Sequence, residues 1–139
     1  MKKILSFITL ILLLHFHAKA QDTPHRIVFQ FTNAVDTNQQ KAFVKQLENL
    51  TDYWKDAQCE VVLYNQGVEL LMKSNSAYLE RLHALSKKGV SFFICENTLK
   101  NRKLSKEVFI SDIAQYVPAG IAEIVLKQEA GWSYIKGGF

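Results

Sequence analysis

The sequence predicts a single α/β domain of three layers, α/β/α, on a mainly parallel sheet of about five strands. Two observations carry that expectation. Short runs rich in β-branched and aromatic residues alternate with segments whose apolar residues recur at helical spacing, the pattern of β-α-β units. The runs also lack clean polar alternation, as strands covered on both faces do. Right-handed crossovers then place helices on both sides of parallel strands.

The first twenty residues stand outside this pattern. Lys2 and Lys3 precede an apolar stretch from Ile4 to Leu14, too short to span a bilayer as a mature helix, and Ala18-Lys19-Ala20 places small residues three and one before a cut. Residues 1–20 are therefore expected to be a cleavable signal peptide and 21–139 the folded domain. The residue immediately after Ala20 is Gln21, not cysteine, and no second apolar run is long enough to span, so neither lipid anchoring nor stable membrane insertion is expected. The expected location is the periplasm of a Gram-negative bacterium. Cleavage removes three lysines and no acid, so the formal charge of +4 becomes +1; nucleic-acid binding gains no electrostatic support. The remaining chain is long enough for one domain that buries roughly two-thirds of its unfolded surface.

Along the mature chain, strands are predicted at "RIVFQFT" (26–32), "CEVVLY" (59–64), "VSFFIC" (90–95), "IAQYV" (113–117) and "WSYI" (132–135). Thr37 and Gln40 form a capping-box pair before the helical stripe Phe43, Val44, Leu47, Leu50 and Trp54. Ser76 is placed to cap a helix carrying Leu79, Leu82 and Leu85, with Gly89 as its stop. Pro118 sits in the first turn of a helix bearing Ile121, Ile124 and Val125, which Gly131 ends. Residues 100–112 lack a clear period and read as a helix end, a turn and a short helical piece at the surface.

In an open parallel sheet, ligands bind beyond the carboxyl ends of the strands. Those positions hold Asn33; Asn65, Gln66 and Gly67; Cys95, Glu96, Asn97 and Thr98; and Pro118, Ala119 and Gly120. The set is amide-rich and contains one thiol. It contains no histidine; His25 precedes the first strand and His83 lies within a helix. No metal site, no Cys-His or Ser-His-Asp set and no organic cofactor is expected from this inventory, and no glycine-rich phosphate loop occurs.

Cys95 closes a strand and begins a turn into a helix, where unpaired N–H groups favour a thiolate. Free cysteine is also among the most buried residue types, so position alone leaves both a reactive and a packing role open. Cys59 starts its strand. About five residues at roughly 3.3 Å each, some 16 Å, would separate the two sulfurs, beyond the limit of about 7 Å between Cα atoms in a disulfide.

Read together, "CENTL" with its Cys95, Asn97, Thr98 and Leu99, then Val117, Pro118, Ala119, Gly120 and Glu123, and last Gly131, Trp132 and Tyr134, resemble the DsrE/DsrF-like family of small sulfur-relay proteins. The likeness runs from about Arg26 to the C-terminus. It implies a three-layer domain, assembly into trimers or hexamers, and sulfur held as a persulfide on the cysteine matched by Cys95. Asn97, Thr98, the backbone of Asn65 to Gly67 and that of Ala119 and Gly120 would line the pocket. Many relatives have a His-Gly pair after the second strand; this chain has Tyr64-Asn65, and asparagine tolerates a left-handed turn. The reading is an exported sulfane-sulfur carrier acting through Cys95, with unidentified donor and acceptor. A carrier is favoured over an enzyme because no general base accompanies the thiol. The alternatives are a small-ligand-binding module or a structural oligomer in which Cys95 only packs.

Overall fold

A computed structural model describes residues 23–138; residues 1–20, expected to be a signal peptide, lie outside the described residues. Five strands, β1 (Arg26–Phe31), β2 (Gln58–Leu63), β3 (Val90–Cys95), β4 (Ala114–Val117) and β5 (Ser133–Lys136), alternate with four helices, α1 (Thr37–Tyr53), α2 (Leu79–Lys87), α3 (Glu96–Arg102) and α4 (Gly120–Glu129). The sheet is parallel throughout, in the order β4-β3-β2-β1-β5.

That order explains the layers. From β1 to β4 the chain advances in one direction, so right-handed crossovers place α1, α2 and α3 on one face. The chain then returns past β1 to add β5, and α4 falls on the opposite face. The first face holds the main core, in which Phe29, Phe31, Val61, Leu63, Phe92 and Ile94 meet Phe43 and Leu47 of α1 and Leu82 and Leu85 of α2. Phe31 and Phe43 stack with centroids 4.3 Å apart. The second face is thinner: Val28, Val62 and Ile124 form its core, with Tyr64 and Trp132 packed against them. Ile121, Val125 and Leu126 of α4 stay exposed, so that of Ile121, Ile124 and Val125 only Ile124 is buried.

Local chemistry moves several predicted boundaries. Asp36, not Thr37, caps α1, its carboxylate accepting from Asn38 N–H, and the Gln40 side chain donates to Ala34 O. Trp54 lies one residue past the helix and packs against His25 with centroids 4.1 Å apart and the rings tilted by 35°. Ser76 opens a 3-10 turn that ends at Tyr78, and α2 starts only at Leu79. Pro118 precedes α4, whose N-cap is Ala119. Gly89 and Gly131 adopt φ of +93° and +82°, the left-handed region in which glycine ends helices at least cost. The stretch read as surface, 100–112, sends Phe109 and Ile110 into the main core, where Phe109 bridges to Met72. Among the described residues, no helix is long and apolar enough to cross a membrane.

Candidate functional site

Strand alternation decides where the thiol points. Ile94 faces the main core, so Cys95, the next residue and the last of β3, faces α4. Cys95 pairs in register with Val117, the last residue of β4. After these neighbouring strand ends the chain diverges, into α3 on one face and α4 on the other, which makes the crevice at a topological switch point. The crevice is a cavity of about 230 Å³ lined by Tyr64, Asn65, Cys95, Asn97, Thr98, Asn101, Ala119, Gly120 and Ile121.

Within it Cys95 is only 6% exposed, and the N–H of Gly120, first residue of α4, donates to Sγ at 3.2 Å. Gly120 must be small here, since a Cβ would stand 3.2 Å from Cys95 Cβ and 3.1 Å from Val62 Cγ1. Burial pushes the Cys95 thiol up, but the Gly120 N–H, the N–H and hydroxyl of Thr98 and the N–H of Asn97 outweigh it and hold the thiol below its ordinary value. Thr98 is oriented for this role: its hydroxyl oxygen accepts from Asn65 N–H at 3.1 Å, which leaves its proton for the sulfur. Cys59, in the main core on the other face, is pushed up by burial alone to about 11. Both cysteines are free.

An alkylating probe at neutral pH should therefore label Cys95 and spare Cys59. The Cys95 rate should fall as pH drops through a midpoint below the free-thiol reference of about 8.5. Peptide mapping that finds equal labelling, or none at Cys95, contradicts this.

The second wall starts at the end of β2. Asn65 adopts φ of +51°, so the left-handed turn expected of asparagine is present. Arg102 fixes it by donating to Asn65 O at 3.0 Å while pairing with Glu69 at 2.6 Å. Tyr64 immediately precedes this turn, and its hydroxyl oxygen accepts from Gln30 Nε2. Gln30 Oε1 in turn accepts from the Tyr134 hydroxyl. Burial first, then the neighbouring Tyr134 and Cys95, raise the Tyr64 phenol above its ordinary value, so it remains a hydrogen-bond donor at neutral pH.

Six of the ten predicted site residues thus share one cavity: Asn65, Cys95, Asn97, Thr98, Ala119 and Gly120. Four do not line it. Gln66 is exposed beyond the turn. Gly67 packs against the backbone of Phe31 and Thr32. Glu96 pairs with Lys106 at 2.6 Å, outside the cavity. Pro118 contributes only its carbonyl, which accepts from Asn97 N–H at 3.3 Å. Tyr64, Asn101 and Ile121 were missed. Helical spacing could have found Asn101, one turn after Asn97 on α3; Tyr64 was hidden by its assignment to the strand.

A buried ionic cluster lies under the same helix. Glu60 of β2, 3% exposed, meets Lys127 of α4 at 2.5 Å, and Lys127 reaches Glu123 at 3.5 Å. Glu60 Oε1 has no hydrogen-bond partner. Burial raises the Glu60 carboxyl above its usual range against the pull of Lys127, and Glu123 raises it further. The Lys127 ammonium also sits over the Trp132 ring, 4.7 Å from its centroid.

Comparison with known proteins agrees with this architecture. A protein of unknown function from Methanobacterium thermoautotrophicum, MTH1491, superimposes with a TM-score of 0.74 at 28% identity, over 81% of this chain and 98% of its own. A conserved protein of unknown function from Bacteroides thetaiotaomicron, BT1422, shares the fold with a TM-score of 0.58 at 12% identity, over 80% and 93% of the two chains. No curated protein matches. The sequence model of the DsrE/DsrF-like family matches residues 12–136, nearly the whole chain, and with the parallel sheet and its cysteine-bearing crevice this places the protein in the DsrE/DsrF-like family.

Proposed function

We propose that the protein is a sulfane-sulfur carrier that holds sulfur as a persulfide on Cys95. Family membership points to a function related to sulfur relay; the specific role rests on one observation, a thiol at the mouth of a crevice whose sulfur accepts the first N–H of α4. The Cys95 thiolate attacks the terminal sulfur of a donor persulfide or polysulfide. The donor S–S bond breaks, its electron pair leaves on the donor sulfur, and Cys95 gains a new S–S bond without net oxidation. A second thiolate then takes the carried sulfur by the same exchange. The cavity walls supply neutral donors and no general base, which suits a carrier better than a hydrolytic or redox enzyme.

In this reading the domain is exported, and its donor and acceptor act outside the cytoplasm. It works as a homo-oligomer, trimer or hexamer, with exposed Ile121, Val125 and Leu126 on α4 supplying the kind of apolar surface that associations bury. Treatment with a polysulfide should add about 32 Da per transferred sulfur to the protein and nothing at that site in Cys95→Ser. Cys95→Ser should stay folded, because the loop N–H groups can donate to a hydroxyl. A wild-type thiol that takes no sulfur, together with a Cys95→Ser variant that unfolds, would make Cys95 a packing residue and leave a ligand-binding module instead.

A further inference from the structure

The carrier reading leaves one atom without an assigned partner. Sγ of Cys95 is served by Gly120 and Thr98. A carried sulfur would stand about 2 Å beyond Sγ, and this outer atom bears the charge when a persulfide ionises. The cavity wall contains no carboxylate, ammonium or guanidinium. Glu96 is held on Lys106 and Arg102 on Glu69. The outer sulfur must therefore be met by a neutral donor.

Asn97 and Asn101 are exposed, and no protein contact orients their amides among the described residues. Tyr64 differs. Its half-buried ring lines the cavity, and its hydroxyl is the end of a directed chain in which Tyr134 donates to Gln30 Oε1 and Gln30 Nε2 donates to Tyr64. Because the phenol oxygen already accepts from Gln30, its own proton is left to donate, and no acceptor for it appears among the described residues. No hydrogen bond joins it to Sγ itself. The amide direction is self-consistent: an anion in the cavity draws the Tyr64 proton inward, and Gln30 then presents its NH₂ to Tyr64 and its carbonyl to Tyr134.

We propose that Tyr64 donates a hydrogen bond to the terminal sulfur of a Cys95 persulfide, and that Gln30 and Tyr134 are positioning residues that keep the phenol in its donor orientation. This rests on the carrier reading. In the loading step, the Cys95 thiolate attacks the terminal sulfur of R–S–SH, the donor S–S bond breaks and RS⁻ leaves with its electron pair. The proton of that terminal sulfur passes to the leaving thiolate, giving RSH and Cys95–S–S⁻. Tyr64 stabilises the new anion without giving up its proton.

The test loads wild type, Tyr64→Phe and Tyr134→Phe with inorganic polysulfide and follows alkylation of the persulfide against pH, with the sulfur-free thiol as control. Tyr64→Phe keeps the ring. It should raise the persulfide midpoint by about one pH unit, a tenfold change in ionisation, and should move the sulfur-free Cys95 midpoint much less. Tyr134→Phe, an exposed position, frees the Gln30 amide to turn its carbonyl towards Tyr64 and capture the proton, so it should shift the persulfide midpoint in the same direction by a smaller amount. Unchanged persulfide midpoints in both variants would overturn the assignment while leaving the carrier intact. Equal shifts of the thiol and persulfide midpoints would also overturn it, since they indicate a general change of the cavity. If Tyr64→Phe fails to fold, Tyr134→Phe decides alone. Wild type that gains no sulfur would refute the carrier reading, and the Tyr64 role with it.

Discussion

Replacing Lys127 with methionine should lower stability by about 3 kcal/mol, the low end of the cost of removing one partner from a buried ion pair. The low end applies because Lys127 is a quarter exposed while Glu60 is not, so water screens part of the interaction. For a domain of this size the melting temperature should fall by about 10 °C. The cost arises at Glu60: without Nζ, one carboxylate oxygen joins the other in having no partner. Exchanging both residues, Glu60→Met with Lys127→Met, should recover most of the loss, because an apolar pair carries no desolvation debt.

The pH dependence has a definite sign. The Glu60 carboxyl is raised in the folded state, so folding disfavours its charged form, and removing Lys127 raises it further. The extra destabilisation is absent below the unfolded value of about 4.3 and grows as pH rises towards the folded value. The gap between variant and wild type should therefore be small in acid and full at pH 8. Thermal melts showing a gap independent of pH would contradict the assignment of the cost to Glu60.

The second large effect is expected at Gly67, where alanine should cost more than the 1–3 kcal/mol or so of ordinary overpacking. A Cβ there would press on Phe31 O and stand 2.7 Å from Phe31 C and 2.9 Å from Thr32 Cα. These are backbone atoms at the end of the interior strand β1, which pairs on both sides and cannot yield as a side-chain tip would. The 3-10 segment Asn65–Leu71 must move instead. That movement takes Asn65 N–H away from Thr98, whose hydroxyl supports the Cys95 sulfur. Two readouts should change together: a lower urea midpoint and a higher pH midpoint for Cys95 alkylation. A variant with wild-type stability would mean that the close approach of Gly67 to β1 is not tight in solution.

Much of the fold was legible because parallel strands buried on both faces are written as near-continuous apolar runs, and "VSFFIC" is such a run. The crevice was legible for a topological reason, since strand ends in a parallel sheet collect on one edge whatever the strand order. Order itself was not legible, and it decides which helices share a face; α4 falls on the thinner face, where only Ile124 of its stripe is buried. Glu60 reads as a stray charge in a strand, because its partner lies 67 positions later and no local period links them. Phe109 was lost within a lysine-rich stretch whose composition suggested solvent. Tyr64 was taken as the last residue of β2, although the strand ends at Leu63; one position separated a packing assignment from a place in the cavity wall.

The return of the chain past β1 has a consequence for timing. Synthesis proceeds from the N-terminus, so Cys95 emerges well before Gly120 and before β5, which docks on a strand made among the first. Until α4 closes over the second face, the thiol lacks its Gly120 donor, the first of the groups that lower it. A nascent chain therefore holds a smaller fraction of this thiol as thiolate than the completed domain does. The last segment to be made thus completes the hydrogen bonding of a thiol made well before it.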